Sequence, residues 1–399
     1  MTTSDSLLQR VLLIVIVLPF SAYAQQDSFK AVNIDSSKVQ IKTSDPANST
    51  ATCTVSDEPI LVVGDDEEDE HQIFSSVRGA GRLSDGSIVV SDRRSAEIRI
   101  FDETGQHLRT MGRGGRGPGE FQNPFLLWVT KGDTIWVGDY RPWRYNLFTA
   151  DGEFVRQLGL EPAYVNPSTP GGGVLDNGYS VNTILRRVGG SDFMVADTLI
   201  VEVHDPMGRL DGSLARMHVP PYGTLSEGSN FILRPLFSSR GTVDARGSTI
   251  ALAHGSKPEV RILDSDFNLK TIIRWIDPPR KVTGGDIRAW REDYRNARRS
   301  SSWNEMDDDM VSQDRPIVDF FPVLSWVEIG LDGRVWVRQY DRPREDRGWL
   351  AFNRDGEFVC HMATLPGPLE EFGDDYVLLL GESESGAETV QLHRLSGPL

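Results

Sequence analysis

Cysteine and histidine are scarce in this chain of 399 residues, and the scarcity limits its chemistry. Two cysteines, Cys53 and Cys360, cannot staple a small disulfide scaffold, and a metal site cannot be built from them alone. Seven histidines are spread too widely for a poly-imidazole zinc centre, which needs about three ligands converging on one ion. Positive charge is in deficit as well. Against 58 Asp and Glu stand 42 Lys and Arg, a net charge of −16, so nucleic acid and anionic membrane surfaces are excluded as partners. HExxH and P-loop sequences are absent. The nearest approach to G-x-S-x-G, residues 381–386, is one residue too long and has no following helix, so it reads as a turn.

Long apolar runs are missing after the first twenty residues, which excludes a membrane span. The early run VLLIVIVLPF follows Arg10 and is about half the length of a spanning helix. Small residues at Ser21, Ala22 and Ala24 complete a secretory signal peptide over 1–24, cleaved after Ala24. The mature chain is therefore expected in the periplasm or secreted, as a monomer. Residues 25–57 are rich in Ser, Thr, Asp and Asn with weak periodicity, and read as a flexible lead-in. The glycosylation letters Asn48-Ser49-Thr50 fall within it. The acidic run at 65–70 lacks the spaced ligands and glycine turn of a calcium loop, and reads as a solvated loop.

What the chain has in quantity is strands joined by tight turns. A first hairpin turns at Asp85-Gly86 and a second between Glu103 and Gly105. A further copy spans residues 124–160 with its turn at Asp151-Gly152, and a looser third copy turns at Asp176-Asn177-Gly178. The fourth covers 241–275, and the fifth turns at Asp332-Gly333 and Asp355-Gly356. The outer hairpins IRIFDETGQHL, YNLFTADGEFV, VEVHDPMGRL, VRILDSDFNL and WLAFNRDGEFV repeat strand, turn and strand. Four strands recurring about every 40–60 residues is the period of propeller blades. The last copy supplies three strands, so PILVVGD, residues 59–65, is expected to supply the fourth and close the ring. That closure would bring Cys53 toward the fifth and sixth copies and favours a disulfide with Cys360 over two unpaired thiols.

Residues 112–125, GRGGRGPGEFQNPF, match the letters of the dinucleotide fingerprint G-x-G-x-x-G. The fingerprint holds a phosphate only on the N-terminus of a following helix, whereas here Pro118, Gly119 and a strand-like run follow. A joint between two sheets, with Phe121 as its apolar wedge, is the reading the turn chemistry supports. A single helical segment is predicted within an insertion over 280–315, where Thr283 to Asp286 resembles a capping box and Ile287, Trp290, Tyr294 and Ala297 share one face. It is either a lid over a channel mouth or a patch on its rim.

The elements L-x-D-G-x-I-V-V-x-D, I-R-x-F-D-x-x-G and G-R-x-G-x-G-P-G-E-F resemble those of bacterial six-bladed β-propellers related to NHL-repeat proteins, from about Pro59 to Leu395. The resemblance implies an all-β, six-bladed β-propeller of four-stranded antiparallel blades over 58–399. It would be closed by an N-terminal strand, with the helical insertion between the fourth and fifth blades. About function it implies little, because such scaffolds host lyases, lactonases, receptors and sensors alike.

In that architecture the positions after each second strand gather at one mouth. They are Asp92, Arg93 and Arg94; Asp139, Tyr140 and Arg141; Arg186 and Arg187; Arg234; His254; Arg338 and Tyr340. Arginines at a concave mouth can hold a carboxylate or phosphate bidentately, which predicts a ligand site for an anionic small molecule or a peptide. The competing reading is that Asp92 and Asp139 cap turns. No cofactor is predicted, although Asp92 and Asp139 could contribute to a lactonase-type calcium site made of oxygen ligands. Such a divalent-metal hydrolase or lyase, and a pure protein-interaction scaffold, are the alternatives to a binding protein without catalysis.

Overall fold

The computed structural model describes residues 39–66, 68–140, 143–163, 172–187, 195–223, 225, 233–299 and 302–398. The predicted signal peptide lies outside them. Half of the supposed flexible lead-in, by contrast, is ordered into the fold. Gln40–Ser44 (β1) and Thr52–Val55 (β2) are strands, and Leu61–Val63 (β3) follows within the segment expected to close the ring. Sequence reasoning missed β1 and β2 because an added outer strand pairs through its backbone and asks little of its side chains.

After β3 the chain repeats antiparallel units of four strands. The first holds Val77–Arg82 (β4), Ile88–Asp92 (β5), Glu97–Phe101 (β6) and His107–Met111 (β7). Pro124–Thr130 (β8), Thr134–Asp139 (β9), Arg144–Phe148 (β10) and Phe154–Gly159 (β11) form the second. Gly173–Val174 (β12), Ser180–Arg187 (β13), Val195–His204 (β14) and Leu210–Tyr222 (β15) form the third. The fourth comprises Gly241–Arg246 (β16), Thr249–His254 (β17), Glu259–Asp264 (β18) and Leu269–Trp275 (β19), and β1 adds in parallel to its outer strand. Then come Leu324–Ile329 (β20), Val335–Gln339 (β21), Trp349–Phe352 (β22) and Phe358–Met362 (β23). Leu369–Phe372 (β24), Tyr376–Glu382 (β25) and Glu388–Ser396 (β26) make a final unit whose fourth strand is β3, antiparallel to β26. Between them β2 pairs in parallel with β23 and antiparallel with β26. Cys53 on β2 is thereby set against β23, where it forms a disulfide with Cys360, Cα to Cα 5.7 Å.

The hairpin turns follow local chemistry. At Asp85-Gly86 the aspartate accepts from the Ser87 amide at 2.9 Å, and Gly86 takes a φ of 94°, open to glycine without steric cost. The core sits between units. Leu83, Ile98 and Ile100 of the first meet Leu127, Ile135 and Phe148 of the second, and similar clusters join each unit to the next. One cluster packs Val390 and Leu392 of the last unit against Val77, Ile88 and Val90 of the first. Because each unit is covered on both faces, strands such as β5 and β10 are buried at every residue.

The joint at 112–125 is what its turn chemistry indicates. Phe121 bridges back to Gly114, is 1% exposed, and fills the cluster between the first two units. Gly112 has a φ of 75° and a β-carbon there would strike the Phe121 ring, so the close approach requires glycine. Strand β8, not a helix, follows.

Gly284–Ala297 (α1) and Glu305–Val311 (α2) form the insertion after β19. Thr283 and Asp286 make the capping box expected of α1. Ile287 and Trp290 pack beside Leu236, Phe237 and Phe321, and Tyr294 and Arg298 bind the Asp307 carboxylate of α2. The Arg298 guanidinium, followed by the Tyr294 hydroxyl, holds the Asp307 carboxyl down at about 2 despite its burial.

Candidate functional site

The residues nominated from sequence sit at strand ends, and their hydrogen bonds are those of structural clamps. Asp92 is 1% exposed and accepts from the amides of Ser75, Ser76 and Arg94 at 3.1, 3.1 and 2.9 Å. Asp139 repeats the arrangement one unit later, accepting from Gln122 and from Asn123 at 2.6 Å. It also pairs with the Arg144 guanidinium at 2.8 Å, and Arg144 in turn donates to the carbonyls of Arg116 and Glu120 in the glycine-rich joint. Both carboxylates are therefore occupied within their own units, and neither is turned to a shared ion. No group of three His, Cys, Asp or Glu among the described residues is arranged to hold a metal ion.

His254 is committed too. Its Nε2 lies 2.9 Å from the His218 carbonyl, which can only accept, so Nε2 carries the proton and Nδ1 accepts from Ser256. Arg93 and Tyr140 follow their second strands and donate backbone amides to Ser76 and Asn123, closing the first strand of each unit. Tyr340 does the same to Val323. The Arg93 side chain is exposed, Tyr140 lies against Phe125, and Tyr340 lies near Phe321. Arg234 is half-buried, its carbonyl accepting from Arg315. Arg141 falls outside the described residues; for Arg187 the backbone alone is described, paired with Asp197.

Of the nominated set, Arg338 lines a cavity of about 810 Å³, bounded by residues of several first strands and their neighbours. Its guanidinium is bound by Asp341 and donates to the Gly348 carbonyl at 2.9 Å. The cavity wall is apolar, with Phe125, Leu127, Trp128, Trp326, Trp349 and Leu369 exposed to its interior. Arg78, Arg240, Thr242, Asp244, Arg246, Glu328 and Glu370 add a polar group to it.

Five of these polar residues arise from three strands, β16, β20 and β24. On β16 the alternation of side chains puts Thr242, Asp244 and Arg246 on one face, while β20 brings Glu328 and β24 brings Glu370 and Glu371. Glu371 is fully engaged, accepting from the Arg82 amide, from the Tyr376 hydroxyl at 2.7 Å and from Arg246 at 2.8 Å. Its neighbours are not. Glu328 accepts from the Trp326 indole at 2.9 Å and Glu370 from the Ala80 amide at 3.1 Å, one hydrogen bond each among the described residues. Asp244 accepts from the Ile329 amide at 2.7 Å.

Their acidities follow from this arrangement. Lost hydration, and then the charge of Asp244, push the Glu328 carboxyl from an ordinary 4.5 up to about 8, against the pull of Arg246. Lost hydration raises Glu370 to about 7, opposed by the Ala80 amide and Arg78 and aided by Glu371 and Glu388. For Asp244 the same cause raises it to about 6, with Arg246 opposing. Burial pulls the Arg246 guanidinium the other way, but Glu371 and Asp244 outweigh it and keep the group charged.

Sequence reasoning missed this cluster, although a signal existed. GTVDAR, WVEIG and PLEEF each place charge inside a strand that is otherwise apolar, a placement that is costly unless the residue faces a partner or a cavity.

The chain is an all-β protein of repeated four-stranded antiparallel units, and no helix among the described residues is long and apolar enough to cross a membrane. No protein-family model matches it. No curated protein matches it by sequence either. In structure it is similar to a candidate exported protein from Bacteroides fragilis, 11% identical, covering 90% of this chain and 99% of that one with a TM-score of 0.49. A member of the DUF4221 family from Bacteroides vulgatus is 9% identical over 88% of this chain and 100% of its own, with a TM-score of 0.47. A gluconolactonase from Xanthomonas campestris is 13% identical over 81% and 87%, with a TM-score of 0.34. Similarity of that order transfers neither residues nor activity.

Proposed function

We propose that this chain is an exported six-bladed β-propeller that binds a small molecule or peptide in the cavity on its axis. Six units, each packed on the next and the last on the first, support the ring; the signal peptide supports export to the periplasm or beyond. The observation that carries the binding reading is the cavity of about 810 Å³, apolar in its walls with a few convergent polar groups. That composition and size fall within the range of small-molecule sites. Asp92 and Asp139 tie down the chain just before the first strands of their units, His254 ties β17 to β15, and Arg338 lies in the cavity lining, where it would meet the ligand.

A thermal-shift screen of small molecules and short peptides against the mature protein tests this. Any ligand raising the melting temperature should lose at least about tenfold in affinity in Trp326→Ala, a loss of roughly 1.4 kcal/mol or more. The side chain is 50% exposed, so the variant should fold normally. Undiminished affinity in that variant would place binding elsewhere.

A further inference from the structure

The cavity is not electrically balanced along its length. Its lining includes Arg240, one residue before β16, and Arg338, near the end of β21 and paired with Asp341. Four residues on from Arg240, about 13 Å at strand rise, is Asp244, which with Glu328 and Glu370 forms an acidic floor beside Glu371. The cation that bonds to this group is Arg246, and its contact goes to Glu371, the one carboxylate already satisfied by Tyr376 and the Arg82 amide. Arg78 turns to the carbonyl of Val77 at 2.7 Å, and the Glu388 carboxylate nearby adds further negative charge. Asp244, Glu328 and Glu370 thus share a floor with too little positive charge.

A second feature points into the same space. Thr242 lines the cavity on the face of Asp244 and Arg246 and is 3% exposed, yet its Oγ1 has no hydrogen-bond partner among the described residues. A buried hydroxyl left unpaired costs free energy that a ligand atom can recover. Carboxylates lacking cations and a hydroxyl lacking a partner are complementary to a donor that carries positive charge. The tryptophan walls beside them suit an apolar body, and the ring faces attract a cation.

Resting on the cavity as the binding site, we propose that its ligand carries a protonated amine. The ammonium seats among Asp244, Glu328 and Glu370, and its apolar remainder lies against Trp128, Trp326 and Trp349. On binding, the ammonium stabilises the ionised carboxylates, so the complex releases protons to solvent at neutral pH.

The test uses the mature protein and three matched probes: 2-phenylethylamine, 2-phenylethanol and 3-phenylpropionate, followed by tryptophan fluorescence and calorimetry at pH 7. The amine should bind at least about tenfold more tightly than the alcohol, as a charge-assisted hydrogen bond requires. Its heat should vary with the ionisation enthalpy of the buffer, which reports proton release without any mutation. Glu328→Gln combined with Glu370→Gln should bring amine and alcohol within about threefold of each other. Equal or tighter binding of the alcohol or the propionate, with the tryptophans responding, would leave the cavity as a site and overturn the amine. Silence from all three probes in both measurements would overturn the cavity reading and the amine together.

Discussion

Two sets of carboxylates in this protein differ in little but their surroundings. Asp92 and Asp139 end the second strands of the first two units, each 1% exposed, and each is met by backbone amides waiting at the head of the neighbouring strand. Asp244, Glu328 and Glu370 lie a few residues into the inner strands of other units, where the surrounding backbone is consumed by the sheet ladder. For the first set, loss of water is offset by amides and, at Asp139, by a guanidinium. The second set loses water and gains each other, so its acidities fall. Burial by itself therefore does not mark a site; burial without a sufficient set of partners does.

The sharpest way to break this comparison is to remove a satisfied carboxylate. Asp139→Ala leaves Arg144 buried without its partner and frees the amides of Gln122 and Asn123, so denaturant unfolding should show a loss of about 3–5 kcal/mol. A loss below about 1 kcal/mol would show that the clamp is dispensable.

The opposite substitution on the floor should have the opposite sign. In the unfolded chain Glu328 ionises near 4.5, while in the fold it holds its proton up to about 8. Between those values the unfolded state sheds a proton that the native state keeps, so this residue's contribution to stability is full below pH 4.5 and is lost as pH rises through 8. Glu328→Gln should flatten that decline and stabilise the protein at pH 9 by on the order of 1 kcal/mol relative to the parent. Melting curves from pH 4 to 9 would reveal it, and an unchanged slope would sink the idea.

The smallest effect is expected where exposure removes the distinction. Lys42 and Glu357 join β1 to the hairpin after β22 at 3.4 Å, with side chains 35% and 60% exposed. Lys42→Ala should shift stability by less than about 0.5 kcal/mol, and by still less in high salt.

Much of the fold was legible in the chain because it depends on local chemistry. Asp85-Gly86 and Asp355-Gly356 turn wherever the surroundings allow, since glycine accepts positive φ and a nearby side chain caps the amides, Asp85 in the first turn and Asn353 in the second. Pro118 and Gly119 after Gly117 leave no helix N-terminus to hold a nucleotide phosphate, and the next element is strand β8. At the site the reading was partial. Asp92 and Asp139 end second strands, and apart from the Arg94 amide the backbone donors they meet come from residues 16 or 17 positions earlier in the chain. Which donors a carboxylate meets is a property of register, not of neighbouring letters.

By itself, then, the sequence determined most strands of the repeated units, their turns, the helix cap at Thr283 and the use of 59–65 as a late partner for β26, but not β1 and β2. Only the tertiary structure decided which side chains face the cavity. Each unit is packed between two others, so both faces of its strands are buried and the alternation that would mark inside from outside is erased. Asp244, Glu328 and Glu370 become a cluster because three separate strands converge on one cavity, and convergence is set by packing between units, which no single stretch of sequence contains.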